Sequence, residues 1–181
     1  MKILDNFRKK SALKYLFAHA NEKKRSSKQF NLTNATSIAV IYYLPDEDTY
    51  KKAEMIIAQL LAMNIKTRVV AFSPLKFDPH YFIPKITQDI INSKDLNFRF
   101  QPDKPFVNEF INTEFDILID LSLTEHLPLL YLAAMSKAGL KIGRFEEKHK
   151  DIYDLMIHQT EDETIDTFAQ QIFHYLNQIN N

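Results

Sequence analysis

Ser37-Ile-Ala-Val-Ile-Tyr-Tyr-Leu44 is an unbroken run of β-branched, aromatic and aliphatic residues, and Pro45 followed by Asp46, Glu47 and Asp48 closes it. A strand with one wet face alternates apolar and polar residues; this one does not, so it belongs in a sheet covered on both faces. The period then changes. Ala53, Ile56, Ile57, Leu60 and Leu61 fall on one helical stripe, and the three acidic residues stand in the first turn, where the helix dipole favours negative charge. Asn64 takes the place of the usual C-terminal glycine. Ile65-Lys-Thr-Arg-Val-Val-Ala-Phe72 gives a second strand directly after it. Strand, helix and strand with such short links close as a parallel pair with a right-handed crossover.

Working outward, residues 73–93 are irregular, with Pro74, Pro79 and Pro84 spaced through them. A strand is expected over Asp95–Phe100 and a short helix over Phe106–Asn112. Phe115-Asp-Ile-Leu-Ile-Asp-Leu-Ser122 is the clearest central strand, followed by a helix over Leu127–Ala138 that tolerates Pro128 in its first turn and ends at Gly139. Leu140–Arg144 and Asp154–His158 read as short strands. Thr160 and Glu163 have capping-box spacing ahead of the strongest apolar stripe, Ile165, Phe168, Ala169, Ile172, Phe173, Leu176 and Ile179. Alternating strands and helices predict an open, mostly parallel, doubly wound α/β sheet of Rossmann-like or flavodoxin-like class, in one domain over 36–181.

The 181 residues are 45% hydrophobic with a formal net charge of zero, but the charge is unevenly placed. Residues 1–30 hold nine Lys and Arg against two acids, a +7 segment on a −7 remainder. Asp5–Ala20 reads as a basic helix and 22–36 as a polar connector, so 1–35 form an N-terminal extension. Its cations Arg8, Lys9, Lys10, Lys14, Lys23, Lys24 and Arg25 are candidate contacts to a protein or to an anionic partner, RNA or a membrane surface. No apolar run approaches the ~20 residues that cross a bilayer. The first residues lack the pattern of a signal peptide, so a cytoplasmic location is the expectation.

Zero cysteines exclude disulfides, thiolate metal sites and a cysteine nucleophile. The only glycines, Gly139 and Gly143, are too few for a Walker A loop, a dinucleotide fingerprint or a Gly-x-Ser-x-Gly elbow. The six histidines show no metal-ligand spacing, so neither metal nor cofactor is implied. Open α/β sheets bind ligands beyond the carboxyl ends of their strands, which selects Asp46, Ser73, Asp120, Ser122 and Arg144 as candidates for a phosphorylated or sugar-like ligand. Arg144 has the fork geometry to meet a phosphate or carboxylate, or equally to pair with Asp120 or Glu146. Asp120, Ser122 and His126 invite a hydrolase triad, but a serine and a histidine after a strand serve as well to cap the next helix. The run Glu146–Asp151 could close over an anion but reads more simply as a solvated loop.

Two resemblances follow from the residues. Phe115–Ser122 with Leu130–Phe145 is similar to the N-terminal, acceptor-side Rossmann half of heptosyltransferase-type GT-B glycosyltransferases, which implies a sugar-like ligand but leaves the donor-binding half missing. The first strand with its Pro-Asp turn, Phe72–Lys76, Asp95–Phe98, Phe115–Leu121, Ser136–Ala138, Gly143 and Asp154–Ile157 resemble a family of small bacterial proteins of uncharacterised function. That likeness implies the boundaries and fold and supplies no activity. The expectation is a non-enzymatic binding or assembly scaffold with a basic arm; the alternative is a binder of, or enzyme on, a phosphorylated or sugar-like ligand in the cleft.

Overall fold

The computed structural model describes residues 2–20, 28–160 and 162–179. In chain order the elements are α1 (Lys2–His19), β1 (Ser37–Tyr43), α2 (Glu47–Ala62), β2 (Lys66–Ser73), β3 (Gln88–Asn92), α3 (Pro105–Asn112), β4 (Ile117–Asp120), α4 (Leu127–Met135), β5 (Leu140–Arg144), β6 (Leu155–Ile157) and α5 (Ile165–Gln178). The six strands form one sheet in the order β3-β2-β1-β4-β5-β6, every pair parallel. This is the Rossmann order, and the strand order reverses between β1 and β4. The β1–β2 register runs from Ser37 opposite Lys66 to Tyr43 opposite Phe72.

Period-2 alternation sorts the strand side chains between two cores. Ile38, Val40, Tyr42, Ile117, Ile119 and Ile142 pack with α2 and α5 on one face. Ala39, Ile41, Val70, Phe72 and Leu118 pack with α1, α3 and α4 on the other. α2 ends in a Schellman motif: Asn64 turns left-handed at φ 60°, its N–H reaches Leu61 O, and the N–H of Ile65 reaches Leu60 O. The asparagine thus does the work expected of it, one position beyond the helix cap at Met63.

Four expectations change. The third strand is Gln88–Asn92, not Asp95–Phe100; the latter span begins in a 3-10 turn and folds back through a Phe100 N–H to Asn97 O bond, with Phe100 left-handed at φ 57°. α4 stops at Met135, capped by Ser136 in an extended conformation, so Gly139 does not end it. A Cβ at Gly139 would lie 2.6 Å from the Phe30 ring, so its place is one of close approach. The box that caps α5 is Thr164 with Thr167, one turn later than Thr160 with Glu163. Finally, the described part of the polar connector is packed: Leu32 and Ala35 join the core, and Asn31 Nδ2 donates to Ile179 O at 3.0 Å. Lys23, Lys24 and Arg25 lie outside the described residues.

Candidate functional site

The chemistry-bearing side chains gather beyond the carboxyl ends of the strands, as the fold requires, but most serve one another. Asp120 ends β4 and is 7% exposed. Its Oδ1 accepts the backbone N–H of Ser122 at 2.9 Å and its Oδ2 the hydroxyl of Tyr153 at 2.6 Å. Burial pushes its carboxyl up, against the opposing pull of these donors. Tyr153, also pushed up by burial and by the facing carboxylate, reaches Asp120 because Gly143 has no side chain: a Cβ there would stand 2.7 Å from the Tyr153 ring. The space left in this knot is about 20 Å3, room for a single water.

Around the knot the remaining charges pair. Glu125 Oε2 lies 2.9 Å from His149 Nε2 and 2.7 Å from Lys148 Nζ, and the bond from His149 leads the effects that hold its carboxyl down to about 2. Arg144 donates to Glu146 at 2.9 Å, one of the two acids its sequence position offered. The loop over 146–151 is solvated as expected at Glu147, Lys148, Lys150 and Asp151, while His149 turns inward and is buried. His126 bonds Thr124 Oγ1 at 2.9 Å and stacks on Tyr43 at 3.7 Å; burial lowers it to about 4. Neither Ser122 Oγ nor Asp120 is bonded to the imidazole, so no hydrolase triad assembles. The two other candidates are structural in place: Asp46 caps α2 through Thr49 N–H at 2.8 Å, and buried Ser73 receives Leu75 N–H at 3.3 Å.

Two open spaces flank the knot. One, of about 230 Å3, lies at the switch point between β1 and β4, lined by Tyr43, Asp48, Lys52, Ser122, Thr124 and Glu163. Ser122 is 6% exposed and its Oγ has no hydrogen-bond partner. Phosphate would meet the first turn of α2 here, but that turn already carries Asp46, Glu47 and Asp48, whose charges answer the helix dipole. The other, of about 480 Å3, lies beneath α1 at the ends of β2 and β3, and sequence reasoning missed it. Its walls come from residues far apart in the chain, including Leu13, Phe72, Leu96 and Phe100, each of which reads in sequence as ordinary core. Among the described residues no three His, Asp or Glu side chains gather as metal ligands, and no helix is long and apolar enough to cross a membrane.

α1 forms the roof of this second space. Ala12 and Leu16 are buried against the α4 side of the core. Arg8 donates to Phe98 O at 3.0 Å and lies 4.3 Å from the Phe100 ring centroid. The basic helix is thus held by apolar burial and by hydrogen-bond and cation–π contacts with the Asn97–Phe100 turn. Lys9, Lys10 and Lys14 are exposed and form no ion pair among the described residues.

A family model matches residues 8–179, that of a family of unknown function, DUF6913. No curated protein and no solved structure matches the chain, so the likeness of residues 115–145 to heptosyltransferases gains no support beyond the residues that carry it.

Proposed function

We propose that this chain, which belongs to that family of unknown function, is a non-catalytic binding module that lays the α1 side of its carboxyl-end face on an anionic lipid surface. One observation carries the reading: surface lysines in no ion pair among the described residues share one rim with exposed aromatic and aliphatic side chains. Lys10 and Lys14 project from α1 on the side of Phe7, which is 63% exposed. Arg8 joins this helix to the turn bearing Phe98 (52% exposed) and Arg99. Ser93, next along the rim, donates to Leu75 O, and Lys94 covers Phe77, which is 71% exposed. Cations with neighbouring Phe and Leu suit the boundary between headgroups and acyl chains, where apolar side chains sink in and lysines meet anionic lipid. Nucleic acid would use the cations and rings but leave Leu75 without a role. The polar knot supports the non-catalytic part, because Tyr153 is bonded to Asp120 and His149 to Glu125 around a space too small for substrate.

The test is co-sedimentation of the full chain with phosphatidylcholine vesicles, with and without phosphatidylserine. Binding is expected only with phosphatidylserine and should fade at high salt. At about 1 kcal/mol per cation near such a surface, Lys10→Glu with Lys14→Glu should weaken it about thirtyfold or more. Equal pelleting with both vesicle types, no pelleting, or salt-sensitive retention of single-stranded RNA in place of vesicles would contradict the proposal.

A further inference from the structure

We infer that the space between α1 and the carboxyl ends of β2 and β3 is a binding site for a small amphipathic anion, an aromatic or aliphatic body carrying one anionic head. Its volume of about 480 Å3 falls within the range of small-molecule sites. The body would lie between Leu13 on α1, Phe72 at the end of β2, and Leu96 and Phe100 on the turn after β3, with Leu127 and Pro128 closing the α4 side. These are apolar surfaces supplied by separate elements, and together they make a cavity rather than a continuous core.

The head is specified by charge. Among the described residues five polar side chains line the space: Arg8, Lys9, Ser93, Glu125 and His126. Glu125 is already answered by Lys148 and His149, at 2.7 and 2.9 Å. His126 is stacked on Tyr43, and its burial lowers it to about 4, so it is neutral near pH 7. Ser93 Oγ donates to Leu75 O and keeps acceptor capacity only. Lys9, which is exposed and forms no ion pair among the described residues, therefore sets the sign, a positive charge at the edge of an apolar space. Arg8, on the same wall, is held in place by Phe98 O and the Phe100 ring. The inference is independent of the lipid-surface reading, because Lys10 and Lys14 do not line the cavity.

Fluorescence titration of the full chain, without vesicles, tests it with 1-anilinonaphthalene-8-sulfonate and with N-phenyl-1-naphthylamine, the same body lacking the sulfonate. One saturable site per chain is expected, with the sulfonate tighter. Lys9→Glu, at an exposed residue, should weaken the sulfonate about tenfold and leave the uncharged probe within about twofold. Leu96→Trp fills the cavity from an extended backbone position and should abolish both. If its melting temperature falls sharply, Leu13→Trp fills the same space from α1 and is read the same way. Lys10→Glu with Lys14→Glu should change neither, which separates a failure here from a failure on vesicles. Unsaturable binding, equal affinity for the two probes, or full binding in the filled variants would overturn the assignment.

Discussion

Glu125 and His126 are sequence neighbours with opposite surroundings, and each leaves its own mark on stability against pH. The folded state holds Glu125 down to about 2, from the ordinary 4.5, chiefly through the His149 bond. Its contribution is therefore complete above about pH 4.5 and is lost as pH falls toward 2. Burial holds His126 down to about 4, from 6.5, so its contribution is complete above 6.5 and is lost as pH falls toward 4. Urea unfolding across this range should show Glu125→Gln about 2 kcal/mol less stable than wild type near neutral pH, a value reduced for the partly exposed carboxylate. That gap should close in acid, while His126→Phe should flatten the decline between 6.5 and 4. A gap independent of pH would contradict this account of Glu125. The sequence showed polar residues ending a strand, but not their partners. Asp120 meets Tyr153 across 33 positions only because Gly143 vacates the space between them, a choice that local spacing does not contain.

At the scale of elements, the parts with long apolar patterns were legible and the parts defined by a single contact were not. β1 and β4 follow directly from their residues, because burial on both faces leaves no polar alternative, while β2 follows from its Val69–Phe72 run and α5 from its one-sided apolar stripe. β3 escaped because Gln88-Asp-Ile-Ile-Asn92 is an edge strand with two apolar residues, paired only with β2. The connector escaped because its cationic start hides Leu32 and Ala35, which are core. The candidate site was legible as a location, the carboxyl ends of the strands, and not as an open cavity, since α1 roofs it from outside the βα units. That roof gives an element-scale prediction. Leu16→Ala removes a fully buried anchor and should cost about 2–5 kcal/mol. Hydrogen exchange should locate the loosening in α1 while β1 and β4 keep their protection. Equal loosening of the central strands would mean that α1 is integral to the sheet's stability.

For the whole molecule, the zero net charge conceals a division that folding does not cancel. The described part of the basic segment lies back on the body, yet it docks through Ala12, Leu16 and the rings around Arg8, leaving Lys10 and Lys14 outward. The proposed binding face is therefore one rim, made by α1, the Asn97–Phe100 turn and the start of the segment after β2. Amide hydrogen exchange of the full chain with and without phosphatidylserine vesicles tests this most directly. New protection is expected in α1, residues 75–78 and residues 97–100, with α2 and α5 unchanged. No change in those three segments, or protection confined to α2 and α5, would contradict it.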